Sequence, residues 1–421
     1  MANSFNKNEE VAFDEAMIGF DAGLVVSRKV EVVPREGEMM ERAGDILWRP
    51  ERYIVKSADG MDQTGQFKAK TQRSVPATLG FSKAVTWLLD AKEMRDLMQE
   101  GRLKEAAETE LASQVDLAVM DTICNQATLV FTKSTAAADF GDVANLDSMM
   151  NRVGVPKASR QLGLSSPDYN ALARDLANRQ TINTKPTNAY EEGYVGRLSG
   201  FETHKLDYAN MSPAAAGGAG LTINTQVGGA NFYTPQATRV GANGERSNVD
   251  NRYQTITISS TTSVVAGDAF TIAGVQEVHQ INKRATGSLK TFRVISVLSA
   301  TQLVISPPIV SAQGGTEPEL QYQNCSVATS ATAAIVFLNI AAKPMNPFWV
   351  KGAVELIPGR YAVPEGAGAA VMRAKTEQGI EVTMTKQFDI DTLKTKFRLD
   401  VFFGVVLLQP EMSGIELFNQ A

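Results

Sequence analysis

Lys92-Glu-Met-Arg-Asp-Leu-Met-Gln-Glu-Gly-Arg-Leu-Lys-Glu-Ala-Ala-Glu-Thr-Glu-Leu-Ala-Ser-Gln-Val-Asp-Leu-Ala-Val-Met-Asp-Thr-Ile-Cys-Asn-Gln-Ala127 reads as one helix, longer than a globular domain ordinarily needs. Met94, Leu97, Met98, Ala107, Leu111, Val115, Ala118, Val119 and Ile123 recur at three- and four-residue steps. That spacing gathers apolar side chains into one stripe. The intervening Glu93, Arg95, Asp96, Glu100, Arg102, Lys104, Glu105, Glu108 and Glu110 are expected to face water or charged neighbours. At 1.5 Å per residue the rod would be roughly 50 Å long, which suits a spine. A coiled coil or a plain bundle helix is the alternative, but the stripe keeps no strict a/d heptad.

Residues 1–45, upstream of this spine, read as an arm. Val11, Phe13, Met17, Ile18, Phe20, Leu24 and Val25 predict a short amphipathic helix, which Pro34, Gly37 and Gly44 follow as chain breakers. Such a helix can dock on its own domain or on another molecule. Ile46-Leu-Trp-Arg-Pro50 opens a strand. Tyr53 to Thr78 is polar, with Gly60 and Gly65 and a scatter of Lys56, Asp59, Asp62, Lys68, Lys70 and Arg73. It cannot bury a face alone, so residues 46–80 read as a long two-stranded excursion that needs another chain for support; a flexible surface loop is the competing reading.

Downstream, Leu129 to Thr132 predicts a strand and Val143 to Val153 a helix. Arg160 to Tyr169 predicts a strand and then a helix capped by Ser166, with Pro167 at its first position and Leu172, Ala173 and Leu176 inward. Tyr194 to Lys205 returns to strand and loop. The small-residue linker Pro213–Gly220 marks a change of pattern. Gln254–Ser259, Ala269–Ala273, Thr291–Val297 and Gln302–Ser306 are short alternating strands at close intervals, the pattern of an all-β barrel or sandwich. The pattern of the host domain resumes at Phe348-Trp-Val350, so the β module is an insertion over residues 221–343. In the strand-rich end, Ile380–Met384 can pair with Phe397–Leu408, whose run Val401–Leu408 reads as a buried strand.

The 421 residues carry 41 Lys and Arg against 46 Asp and Glu, a formal charge of −5, and 43% are hydrophobic. These values describe a chain that folds a large core, and its mild acidity is unsuited to wrapping nucleic acid. No apolar run reaches the roughly 18 residues of a membrane span, and the polar start lacks an apolar export signal. Cys124 and Cys325 have no metal-type spacing and are expected as buried thiols in a reducing compartment.

Catalytic chemistry is thin. His204 and His279 are the only histidines, which argues against a Ser/His/Asp triad or a multi-histidine metal site. Gly366-Ala-Gly-Ala-Ala370 begins like a dinucleotide loop but has Val371 at its third glycine position. Asp389-Ile-Asp391 starts like a calcium loop but has Lys394 where glycine is required. Asn210-Met-Ser212 and Asn324-Cys-Ser326 match glycosylation acceptors without an export signal. Paired carboxylates are expected only in exposed, charge-rich segments. Nothing points to a catalytic residue, a cofactor or a metal, and a structural role is expected.

Ser247-Asn-Val-Asp-Asn-Arg-Tyr253, followed by Thr255–Ser259 and Gly267-Asp-Ala-Phe-Thr-Ile-Ala-Gly-Val275, resembles the opening of an inserted domain in one family. That family is the major capsid proteins of tailed bacteriophages, in particular the coat proteins of short-tailed phages with an inserted β-barrel. Ile46–Pro50, Asn346-Pro-Phe-Trp349, Phe388-Asp389, Arg398-Leu-Asp400, Gly404 and Gln409-Pro-Glu411 support it. The resemblance implies the α+β major-capsid fold of tailed phages and herpesviruses. Its expected parts are arm 1–45, extended loop 46–80, peripheral domain 81–142 with the spine at about 92–127, and central domain 143–220 and 344–370. The β insertion 221–343 and closing strands 371–421 complete it.

The resemblance further implies a structural subunit that forms hexamers and pentamers around a scaffolding protein, with a portal at one vertex. The resulting procapsid expands as double-stranded DNA is packaged without sequence-specific binding. Such a protein belongs to the virion, is assembled in the host cytoplasm and touches no membrane. In relatives the inserted domain steadies the subunit and a loop from it reaches across local two-fold axes. Here that loop is Val240–Asn248, with Glu245 and Arg246 as candidate pairing charges. Its charges differ from the family's pattern, so the individual salt bridges do not carry over. Lys56, Asp59, Asp62, Lys68, Glu245, Arg246, Asp250 and Arg252 are the expected subunit-interface residues. A tail-tube or surface-array protein is the structural alternative, and an enzyme with an atypical site beside Gly366 the third reading.

Overall fold

The computed structural model describes residues 5, 7–33, 46–57, 60–65, 67–90, 97–178, 192–215, 220–223, 233–326, 333–361 and 368–421. Pro34, Gly37, Gly44, Asp59, Met94 and Gly366 therefore lie outside the described residues. The chain divides into two compact units, one of residues 1–47, 77–122 and 354–406 and one of residues 48–76, 123–353 and 407–421.

The first unit is organised on the strand Lys394–Leu407, which pairs on both of its edges. Glu381–Asp389 runs antiparallel to it with Val382 opposite Val401 and Asp389 opposite Lys394. Phe81–Asp90 runs antiparallel on the other side with Phe81 opposite Phe403 and Asp90 opposite Lys394. This is the pairing the closing segment predicts, and Val401, Phe402 and Phe403 are buried. Stacked rings, Phe81 on Phe403 at 5.4 Å and Trp87 on Phe397 at 5.6 Å, reinforce the second pairing. Ala370–Lys375 extends the sheet on one side, and Val354–Pro358 with the parallel Glu31–Val32 on the other. Asp389 and Asp391 occupy the hairpin turn, where Asp391 N–H donates to the Asp389 carboxylate at 3.1 Å.

Helix α1 spans Lys7–Gly23 and helix α2, the spine, Leu97–Gln126. The 30 residues of α2 make a rod of about 45 Å. Ala107, Leu111, Val115, Ala118, Val119 and Ile123 are buried as the stripe predicts. Lys104 and Glu108 are buried too, although their positions lie on faces expected to meet water. At Glu108 the reason is a second layer: α1 lies across α2 there, so the arm docks within its own chain. Phe13, Met17, Phe20 and Leu24 are its buried face.

In the second unit a six-stranded sheet has the order Leu129–Thr132, Ser413–Leu417, Asn346–Val350, Arg160–Ser165, Phe201–Leu206, Arg197–Leu198. Helices α3, Phe140–Val153, and α4, Ser166–Asn178, belong to the same unit. Asp139 caps α3 in a reciprocal capping box with Asp142. Ser166 is already helical, so the helix begins one residue earlier than expected. Ser165 instead bridges the junction, its hydroxyl donating to Asp168 at 2.6 Å and its N–H to the Asn346 side chain at 2.7 Å.

The five-stranded antiparallel sheet runs Gln254–Thr257, Gln302–Ser306, Ala285–Val297, Ala269–Val278, Ile335–Phe337. Ile256, Phe270, Ile272, Phe292, Val294, Leu303 and Ile305 fill its interior. Thr222 and Ile223 bridge to Ala334 and Ile258, which joins the two edges of the sheet through one short segment. Both cysteines are buried and neither is in a disulfide; burial pushes the Cys325 thiol up to about 12.

Two positions in this scaffold are open to direct test. A Cβ at Gly414 would lie 2.5 Å from the Leu129 carbonyl oxygen and would overlap the Phe348 ring, whereas at Gly80 the nearest atom is 4.0 Å away. Gly414→Ala should lower stability by about 1–3 kcal/mol in chemical denaturation, and Gly80→Ala should shift it by less than about 0.5 kcal/mol. Glu416 is fully buried with both carboxylate oxygens unpartnered among the described residues. Burial, then Asp142 and Asp168, push its pKa well above the usual range against the pull of Lys133. This grouping departs from the expectation that neighbouring carboxylates would be exposed. A raised folded-state pKa means stability is complete below the ordinary carboxylate range and is lost as pH rises toward the folded value. The melting temperature of Glu416→Gln should therefore gain on wild type as pH rises above the ordinary carboxylate range.

Candidate assembly surfaces

The extended loop begins on a two-stranded base, Ile46–Pro50 with Ser74–Thr78, and residues 51–57 and 67–73 carry no strand. A hairpin paired along its length is thus not what forms. Glycines at 60 and 65 with φ of 97° and 78°, and the polar run between them, favour a turn-rich loop over a ladder.

The root of the loop is anchored inside the chain, which corrects the expectation of an unsupported excursion. Helix α5, Glu317–Tyr322, receives it: Thr71 N–H donates to Gln321 Oε1 at 3.1 Å, and Tyr322 OH donates to the Thr71 carbonyl at 2.8 Å. Lys70 pairs with Glu317, and the Arg73 guanidinium lies 4.0 Å over the Tyr322 ring. Arg73 also pairs with Glu51 at 2.5 Å. Burial pushes the Glu51 carboxyl up, and the charges of Arg73 and Arg252 oppose that shift. These anchors depend on Arg73 and Tyr322, two partners roughly 250 residues apart that no local pattern joins.

Beyond its root the loop has no such support among the described residues. Met61 and Phe67 are 104% and 92% exposed, and Tyr53 and Val55 are exposed as well. Lys56 and Lys68 are exposed and have no ion pair among the described residues. Asp62 is used locally: its carboxylate accepts from Thr64 N–H at 2.9 Å and from the Thr64 hydroxyl at 2.6 Å, which holds its pKa below the usual value. The exposed Met61 and Phe67 escaped the sequence reading because each is a lone apolar residue in a polar run. Their position beside turn glycines was the available signal.

The second surface is the hairpin Thr238–Val240 with Arg246–Asn248, in register Val240 opposite Arg246 and Thr238 opposite Asn248. Gly241 N–H donates to the Glu245 carbonyl at 2.8 Å, and Gly244 takes φ 81° to close the turn. All six strand residues are exposed, and neither Glu245 nor Arg246 has an ion pair among the described residues.

Asp250 and Arg252, at the foot of this hairpin, are engaged within the subunit. Arg252 is buried, binds Asp250 through Nε at 3.0 Å and Nη2 at 2.7 Å, and donates from Nη1 to the Leu407 carbonyl at 2.9 Å. Asn251 grips the chain at Gln236, accepting from its N–H at 2.9 Å and donating to its carbonyl at 2.8 Å. The pair therefore holds the hairpin's root within the subunit, because a guanidinium spent on two internal acceptors has little left for a neighbour.

The histidines sit in ordinary places. His204 Nε2 is 2.8 Å from Gln161 Oε1, and His279 Nδ1 accepts from Ile281 N–H at 3.2 Å. Among the described residues no group of three His, Cys, Asp or Glu is placed to hold a metal ion.

The model of the P22 coat protein family matches residues 1–419. Among solved structures, the CUS-3 coat protein I-domain shares 37% identity over 30% of this chain and 99% of its own, with a TM-score of 0.24. Mycobacterium phage Che8 matches at 9% identity over 92% of this chain and 94% of its own, with a TM-score of 0.40. The capsid of cyanophage P-SCSP1u matches at 10% identity over 93% and 86%, with a TM-score of 0.44. With the family model spanning nearly the whole chain, this protein belongs to the P22 coat protein family and is a phage major capsid protein, a structural component of the virion shell.

Proposed function

We propose that the subunits assemble as hexamers and pentamers around a scaffolding protein in the host cytoplasm, with a portal at one vertex. The shell then expands as double-stranded DNA enters. The observation that carries this reading is the extended loop, whose root is fixed by the chain and whose tip offers Met61 and Phe67 to water. Apolar side chains held out on an anchored support lose nothing by leaving the subunit and gain burial on meeting another copy. Lys56, Asp59, Asp62 and Lys68 supply the polar rim of that contact. The net charge of −5 suits a wall that confines DNA without gripping its phosphates. We assign the inserted β domain to 221–343 and Glu245 and Arg246 at the hairpin tip to a contact across a local two-fold axis, where each subunit presents the same patch.

Negative-stain microscopy of the protein expressed with and without its neighbouring genes tests this assignment. Closed shells support it, and tubes or sheets would replace it with a tail-tube or surface-array protein. Met61→Ser with Phe67→Ser should leave the melting of the free subunit within about 0.5 kcal/mol of wild type, since both side chains are already in water. Shell yield should fall steeply; normal shells would remove the loop tip from the interface. Glu245→Arg and Arg246→Glu should each slow assembly singly and recover it together. Recovery is the mark of two charges that meet across a dyad, and a double variant as impaired as the singles would reject that contact.

A further inference from the structure

One face of the spine meets the arm at three successive turns. Glu108, Ala112 and Asp116 are four residues apart on α2, and opposite them lie Gly19, Gly23 and the segment that follows α1. A Cβ on Gly23 would lie 3.0 Å from the Ala112 Cβ, so the two helices cross at close range. The Asp116 carboxylate accepts from the backbone N–H groups of Val25, Val26 and Ser27 at 2.8, 3.0 and 2.9 Å. At the other end the Glu108 carboxylate occupies the space a Cβ on Gly19 would fill. Glu108 is only 8% exposed, and among the described residues no hydrogen bond or ion pair holds it.

We propose that this crossing is a proton-operated latch on the N-terminal arm: with Glu108 protonated α1 seats on the spine, and ionisation of Glu108 loosens it.

Burial first, and then the Glu105 charge, raise the Glu108 pKa to about 7. The other charges nearby are already committed or face water. On α1, Glu9 pairs with Lys386 and Asp21 with Arg28, while Asp14 and Glu15 are exposed. On the spine, Lys104 is buried and has a partner, and Asp116 serves the arm. An undocked Glu108 in water has an ordinary carboxylate pKa near 4.5. The docked form is therefore fully favoured below that value, and docking weakens as pH rises toward about 7 and then levels off. Between pH 6 and pH 8 the docking constant should fall about tenfold. The latch rests on the capsid reading only for its use in a shell, where an arm with a near-neutral release point would answer to local proton concentration.

Hydrogen exchange of the full-length coat protein, in the free subunit and with intrinsic rates corrected for pH, reads the latch directly. Protection of residues 7–23 in wild type should fall about tenfold from pH 6 to pH 8. In Glu108→Gln it should stay flat while the rest of the molecule behaves as wild type. In Glu105→Gln the fall should move to lower pH, because the neighbouring charge that raises the Glu108 pKa is gone. An equal fall in Glu108→Gln, or wild-type protection that does not vary with pH, overturns the latch. Shell formation is scored separately by microscopy: a pH-insensitive arm in a protein that still builds shells rejects the latch alone, and failure to form shells bears only on the assembly reading.

Discussion

Backbone satisfaction along Lys394–Leu407 is the constraint on which the first unit depends. A long buried strand must pair on both edges or leave main-chain donors and acceptors unmet in a dry interior. Glu381–Asp389 supplies one edge by a short hairpin, and Phe81–Asp90 supplies the other from more than 300 positions earlier in the chain. The strand Phe81–Asp90 is thereby fixed by a strand near the C-terminus. Gly404 belongs to the same constraint: a Cβ there would overlap the Thr78 carbonyl, so the strand admits no side chain where the loop's returning arm passes.

The extremities are satisfied to different degrees. The arm is docked through Phe13, Met17, Phe20 and Leu24 and by the Asp116 carboxylate, so it is part of the subunit's core. The extended loop is held at its root by Arg73, Tyr322 and Glu51 and open at its tip. The Thr238–Asn248 hairpin follows the same plan, with Asp250, Asn251 and Arg252 fixing its base and exposed charges at its end. Anchored roots with exposed tips suit contacts between copies. The support costs no ordering entropy at the moment of association, and only the tips exchange water for a neighbour.

Much of the element plan could be read from the chain. The stripe Ala107, Leu111, Val115, Ala118, Val119 is a local pattern, and so are the alternating strands from Gln254 to Ser306 and the apolar run Val401–Leu408. Glu108 could not be read. Its place on the polar side of the helix is right by periodicity, and it is buried only because Gly19, almost ninety residues away, lets α1 approach that side. The internal pairing of Arg252 was illegible for a related reason. An arginine beside an exposed loop looks available for a partner until Asp250 and the Leu407 carbonyl are seen to take its donors.

By itself the sequence determined the spine helix, the alternating strands from Gln254 to Ser306 and the buried closing strand, because hydrophobic period and turn residues act over a few positions. Only the tertiary structure decided that the arm docks and that Glu108 and Glu416 are buried. It also decided which charges remain free at the tips of the loop and hairpin. Those outcomes depend on desolvation and on pairing across hundreds of residues, and both are properties of the folded surroundings that no local pattern encodes.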